Sequence, residues 1–151
     1  MSLSSKEIFK KYENSFFNPN AKYFATSLMN DNEQIFFKQL LNIFKNKYYI
    51  FPQVCLMAYI NTLSIETKQE LYRFPDFLIC DKKFQPIIVL ELNGESHKQQ
   101  YTKLRDKSVK SILQSCKIPL LQFKNNKQYE DKKLKEIIES EIHLYKNLRN
   151  E

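Results

Sequence analysis

Hydrophobic residues recur at helical spacing in four segments of the chain. The clearest pattern begins at Asn30, which stands three residues before Glu33 as in a capping box, and continues through Phe44. Further helices are predicted over residues 4–17, 100–116 and 132–148. The predicted inward positions of the last two are Leu104, Val109, Ile112, Leu113 and Cys116, then Leu134, Ile137, Ile138, Leu144 and Tyr145.

Shorter apolar runs predict four β-strands, over residues 48–54, 73–80, 86–93 and 118–123. The run at 86–93 is apolar almost throughout, which is typical of a strand covered on both faces. Residues 81–85 are predicted to form a hairpin loop, and residues 55–70 carry no clear pattern. The order is therefore helix, three strands, helix, strand, helix. A helix between the last two strands allows them to be parallel, so we predict an α/β fold with a mixed β-sheet flanked by helices.

The composition fits one compact domain, since 42% of the 151 residues are hydrophobic and 14% are aromatic. We predict an N-terminal helical extension over residues 1–29, packed on a domain of residues 30–151. No apolar run reaches the length of a membrane span and no signal peptide is recognisable, so we expect no membrane partner. The formal charge of +7 fits a polyanionic partner, and it equally fits a lysine-rich solvated surface.

The three cysteines, Cys55, Cys80 and Cys116, lie far apart and form no CxxC pair. Their odd number argues against a disulfide framework, and each stands in an apolar stretch. We therefore interpret all three as small buried hydrophobic residues of a cytoplasmic protein.

Glu91 is the most informative residue, because a carboxylate near the end of so hydrophobic a strand is costly to bury without a partner. Strand alternation places Ile87, Val89, Glu91 and Asn93 on one face, opposite Ile88, Leu90 and Leu92. Asp76 lies in the preceding predicted strand. Two carboxylates on neighbouring strands can hold a divalent cation. Alternatively, each acid pairs with a basic side chain or a backbone amide.

Three short segments together resemble the PD-(D/E)XK nuclease superfamily. They are Arg73-Phe74-Pro75-Asp76-Phe77, Glu91-Leu92-Asn93-Gly94-Glu95-Ser96-His97 and Arg105-Asp106. The branch that they resemble most contains very-short-patch-repair and EDxHD homing endonucleases, and the resemblance spans roughly residues 30–125. It implies a restriction-endonuclease-like fold and Mg²⁺-dependent hydrolysis of double-stranded DNA, with Mn²⁺ as a substitute ion. It leaves open whether the domain acts alone, as a homodimer or with a separate specificity domain.

The resemblance implies that Asp76 and Glu91 bind the metal ion, together with the carbonyl of Leu92. It places Glu33, His97 and Asp106 in the catalytic set with the two metal-binding acids. Each of these three has an ordinary structural alternative. Glu33 is the third residue of a capping box, an isolated histidine is commonly structural, and Asp106 is spaced for an ion pair with Lys110.

The chain departs from the superfamily at Asn93, where the motif has lysine. Asparagine can donate a hydrogen bond but supplies no charge, so a non-catalytic nucleic-acid-binding domain is an alternative, as is a plain protein-interaction domain. Basic residues beside the candidate site could contact DNA phosphates, or could simply form a solvated helix face. They are Lys98, Lys103, Arg105, Lys107 and Lys110.

Overall fold

The computed structural model describes residues 22–93 and 100–150, with side chains of the second segment from residue 107 onward. Within these residues, three α-helices and four β-strands follow the order helix, three strands, helix, strand, helix. The helices are α1 (Asp31–Phe44), α2 (Gln100–Ser115) and α3 (Asp131–Arg149). The strands are β1 (Tyr49–Pro52), β2 (Phe77–Cys80), β3 (Pro86–Asn93) and β4 (Leu120–Lys124). The helix predicted over residues 4–17 lies outside the described part, as does most of the predicted N-terminal extension.

The strands form one mixed sheet in the order β1-β2-β3-β4. β1 and β2 are antiparallel, as are β2 and β3, whereas β3 and β4 are parallel. The parallel pair is connected through α2, as a crossover connection requires. The predicted α/β class and the mixed sheet are therefore confirmed.

A hydrophobic cluster covers each face of the sheet. On one face α1 and α3 pack against the strands, and the buried residues are Phe36, Leu40, Phe44, Phe77, Ile79, Ile88, Leu90, Phe123, Leu134 and Ile138. On the other face α2 and two short 3₁₀ segments, Leu56–Ala58 and Lys68–Leu71, lie over Leu78, Cys80 and Val89. Strand β3 is thus covered on both sides, as its apolar sequence predicts.

The second strand begins later than predicted, at Phe77 rather than residue 73. Asp76 lies in the bend directly before it. Pro75 has no N–H to donate to a ladder, and the carbonyl of Arg73 accepts the N–H of Leu56 in the neighbouring loop. The prediction that Asp76 is a strand residue is therefore wrong, although the position is adjacent.

Three predicted orientations are also wrong. Ile87 packs on the opposite face from Val89, because a β-bulge between Ile79 and Cys80 shifts the register there. Leu144 is 54% exposed, since it stands at the margin of the α3 stripe that buries Leu134 and Ile138. Cys116 is exposed because it follows the end of α2, just before a turn.

Candidate functional site

Asp76 closes the end of the ladder between β2 and β3. Its backbone carbonyl accepts a hydrogen bond from the N–H of Gln53 at 2.9 Å. This bond connects the bend at Asp76 to the residue that directly follows β1. Its Oδ2 accepts the N–H of Leu92 at 2.7 Å, beyond the last paired residue of β2. The carboxylate thus accepts a hydrogen bond that a backbone carbonyl of a longer β2 would have accepted. It lies at the open end of the sheet, which is the end where β2 begins and β3 finishes.

Glu33 brings a second carboxyl group to this place from α1. Its backbone N–H donates to Oδ1 of Asn30, and its Oε2 accepts the N–H of Asn30, so the predicted capping box is confirmed. Burial raises the pKa of Glu33 above the ordinary value of 4.5, whereas the hydrogen bond from the Asn30 backbone opposes that rise. The charge of Asp76 and a side-chain hydrogen bond to it raise the Glu33 pKa further. Two acids from separate elements therefore meet in contact.

Glu91 approaches the same end of the sheet from β3. Its Oε2 accepts a hydrogen bond from Nε2 of Gln122 at 3.3 Å, and the two residues are partners in the parallel pair of β3 and β4. Phe77 pairs with Leu90, so continuing this antiparallel register by one residue places Asp76 across from Glu91. The backbones of the two predicted metal-binding acids are thus neighbours.

The side chain of Glu91 belongs to the face of the sheet that α2 covers. It alternates with the buried Leu90 of the opposite face, and its charge contributes to the surroundings of Tyr59, which packs against the α2-side cluster. Burial raises the pKa of Tyr59, and the nearby thiols and then Glu91 add to that rise. Among the residues that the structure describes, the Tyr59 hydroxyl is buried with no hydrogen-bond partner. Asp76, which accepts the Leu92 N–H at the end of the sheet, is thus contacted by Glu33 from the α1 face, whereas the Glu91 carboxylate lies on the α2 face and accepts the Gln122 amide.

Other predicted site residues are described only in part. His97 and Lys98 lie outside the described residues, and so do the side chains of Lys103, Arg105 and Asp106. Lys110 and Lys107 are exposed on α2, which suits both a DNA-contacting and a solvated face. Among residues 22–93 and 107–150, no group of three or more His, Cys, Asp or Glu side chains is arranged to hold a metal ion. The metal-binding roles of Asp76, Glu91 and the Leu92 carbonyl stay predictions.

Sequence reasoning missed Gln122 and a groove beside the acids. Gln122 is a polar residue in an apolar run, and that was its only signal in the sequence. Its pairing with Glu91 depends on the register of a parallel pair. The groove, about 690 Å³ in volume, lies between α1 and the chain that follows β4. It is lined by residues more than 80 positions apart, so no local pattern predicts it.

These features define an α/β domain with paired acids at the open end of a mixed sheet. Residues 25–142 match the family described as "Protein of unknown function (DUF2726)", and the chain belongs to this family. An uncharacterized protein of Haemophilus influenzae is 27% identical over 110 residues, which cover 70% of this chain and 58% of that relative. The chain thus spans little more than half of that relative's length. No solved structure matches the chain.

In the part of the chain that the structure describes, no helix combines the length and the apolar character needed to cross a bilayer.

Proposed function

We propose that this domain is a metal-dependent DNA endonuclease with a restriction-endonuclease-like arrangement of its sheet and helices. The observation that carries the proposal is the contact between the carboxyl groups of Glu33 and Asp76, at the strand end that Glu91 also approaches. Two carboxylates in contact repel each other unless one is protonated or a cation lies beside them. A group of acids held in this way is a feature of sites that bind divalent cations or transfer protons.

The donor atoms fit Mg²⁺ or Mn²⁺, both of which favour carboxylate and carbonyl oxygens. In the proposed site Asp76 and Glu91 would hold the ion, with the Leu92 carbonyl as a further ligand. A bound ion supplies charge neutralisation for the phosphoryl oxygens and lowers the pKa of bound water. The hydrogen bond that Asp76 accepts from the Leu92 N–H would keep this carboxylate oriented before the ion arrives.

The proposed roles of the other residues follow from their surroundings. Glu33 would accept a proton from the attacking water, a task helped by the rise that burial causes in its pKa. Gln122 would orient Glu91 through its amide hydrogen bond. In the same proposal His97 donates a proton to the leaving oxygen and Asp106 positions water.

A second candidate function, a nucleic-acid-binding domain without catalysis, is favoured by specific observations. Asn93 stands where the nucleases that the sequence resembles carry a charged residue. The carboxylates of Glu33 and Asp76 each accept a hydrogen bond from a backbone N–H. Both side chains therefore stabilise the fold without a metal ion. This candidate predicts DNA binding that is independent of metal and unaccompanied by cleavage.

Nicking of supercoiled plasmid DNA in Mg²⁺ or Mn²⁺ tests the proposal. Glu91→Gln removes one proposed metal-binding charge but preserves the size of the side chain. We expect its nicking rate to fall by about 100-fold, since even indirect metal partners contribute 10–100-fold. Glu136→Gln, on an exposed position of α3, is the matched control and should nick like the wild type.

Equal nicking by the wild type and Glu91→Gln would overturn the assignment of Glu91. Metal-independent DNA binding with no nicking by any variant would favour the second candidate function.

A further inference from the structure

A groove lies next to the paired acids. It lies between α1 and the segment that follows β4, and Leu92 forms part of its wall. The N–H of Leu92 is the one that Asp76 binds, and Asn32 on the wall directly precedes Glu33 in α1. The N–H of Asn125, also on the wall, donates to the carbonyl of Asn93, two residues beyond Glu91. The groove and the acidic site therefore share their boundary residues.

The lining is rich in amides and positively charged. Carboxamide side chains predominate, and they are Asn32, Gln39, Asn42, Asn125, Asn126 and Gln128. Three lysines, Lys38, Lys124 and Lys127, accompany them against a single acid, Asp131. Amides can both donate to and accept from base edges, and lysines attract phosphates. Ile35, Phe36, Leu92 and Tyr129 add apolar surface against which a base can pack. The lining therefore suits a nucleotide with its flanking phosphates better than a cation.

The single acid of the groove is already engaged by neighbouring amides. One oxygen of Asp131 accepts Nε2 of Gln39 at 2.8 Å, and the other accepts Nδ2 of Asn42 at 3.2 Å. Nε2 of Gln39 also donates to the carbonyl of Tyr129 at 2.7 Å. These hydrogen bonds connect α1 to the start of α3, so the groove is formed without a ligand. Because Asp131 is engaged by the two amides, the three lysines determine the charge of the groove.

The lysine-bearing segment after β4 is also held in place. The N–H of Lys124 donates to the Tyr129 hydroxyl, and the N–H of Lys127 donates to the carbonyl of Lys124. The Lys127 ammonium lies 5.1 Å from the centre of the Tyr129 ring. Within the part of the chain that the structure describes, Oδ1 of Asn125 is buried without a hydrogen-bond partner, so this groove residue has an unsatisfied acceptor.

We propose that this groove binds an unpaired nucleotide of a DNA strand, next to the phosphate that the acidic site would cleave. The inference deepens the proposed function by naming its substrate as DNA with a single-stranded segment. Cavities of about 300–1,000 Å³ enclose small-molecule ligands, and a single nucleotide is of that class. In a continuous duplex the bases are paired and stacked, so their edges cannot enter such a groove without being flipped out.

Salt-dependent binding of labelled DNA in EDTA tests the groove without requiring metal or cleavage. The variant Lys124→Ala/Lys127→Ala removes two exposed groove lysines. The control Lys82→Ala/Lys83→Ala removes the same charge from the exposed hairpin at the other end of β3. For a single-stranded oligonucleotide, the slope of log affinity against log salt concentration should fall by about 1.4 in the groove variant, roughly 0.7 for each lost phosphate contact. The control should keep the wild-type slope.

The same measurement on the fully paired duplex distinguishes an unpaired nucleotide from general attraction to charge. We expect the groove variant and the control to bind the duplex with affinities within about twofold of each other. The reason is that a fully paired duplex offers no unpaired nucleotide to enter the groove and contact its lysines. Thermal unfolding of both variants checks that the fold is intact. Equal losses in the groove and control variants on single strands would overturn the inference, and so would an equally large groove-specific loss on the duplex.

The inference and the proposed function fail in different measurements. An absence of cleavage in Mg²⁺, both of the supercoiled plasmid and of an oligonucleotide with a single-stranded segment, contradicts the nuclease proposal. An absence of groove-specific single-strand binding in EDTA contradicts the nucleotide groove.

Discussion

Glu33 takes part in two arrangements at once. It closes the capping box of α1 with Asn30, and its carboxyl group contacts Asp76 at the end of the sheet. The first arrangement is predictable from the sequence, because a capping box has a fixed local spacing. The second is not, because it depends on how α1 packs across the strands. At this residue the structural and the catalytic interpretations are compatible.

The raised pKa of Glu33 makes stability depend on pH in a specific direction. Because its folded pKa lies above the unfolded value, the contribution of Glu33 is fully present below about pH 4.5 and is lost as pH rises through the folded pKa. Glu33→Gln cannot ionise, yet it keeps an oxygen for the N–H of Asn30. We therefore expect the melting temperature of this variant, relative to wild type, to rise between about pH 4 and pH 7.

Thermal unfolding across that pH range measures the effect. The control repeats Glu33→Gln in an Asp76→Asn background, where the pH-dependent gain should shrink because part of the repulsion has been removed. A gain that stays constant with pH would contradict the proposed interaction between the two acids.

At the scale of elements, patterns that depend on local sequence were predicted best. The bounds of β3 and the N-terminal cap of α1 match their predictions. The start of β2 was missed because the Asp76 side chain replaces a backbone partner, which no alternation of hydrophobic residues can reveal. The orientation of Ile87 was missed because of the β-bulge in the β2–β3 pair. Features set by the pairing of distant segments were thus beyond the reach of the sequence.

Helix α3 offers a test of which predicted positions form the core. Leu134 is fully buried between α3 and the sheet, whereas Leu144 on the same helix is 54% exposed. Leu134→Ala should reduce the free energy of unfolding by about 2–5 kcal/mol, because it removes buried contacts and leaves a cavity. Leu144→Ala, the matched control, should change it by less than about 0.5 kcal/mol. Similar losses in chemical denaturation of both variants would contradict the packing of α3.

The fold brings Glu33 into contact with Asp76 and places the backbone of Glu91 across from that of Asp76, although the three acids come from separate parts of the chain. Glu33 comes from α1, Asp76 from the bend before β2, and Glu91 from β3. The sequence motifs identified all three as candidates, but not the contact between Glu33 and Asp76 or the amide that binds Glu91. The groove on the α1 side of the same sheet end was absent from the sequence-based account, because its walls come from α1 and the segment after β4. Assembly of the sheet therefore creates the proposed catalytic and nucleotide-binding features together.

The central claim is that Asp76 and Glu91 share one divalent cation. Calorimetric titration with Mn²⁺ measures this directly, using the wild type, Asp76→Asn, Glu91→Gln and the control Glu136→Gln. We expect the wild type and the control to bind Mn²⁺ at a common site, and each of the other two variants to lose at least about tenfold in affinity for it. Mn²⁺ binding that is weakened by Asp76→Asn but unchanged by Glu91→Gln would show that the two acids do not share an ion.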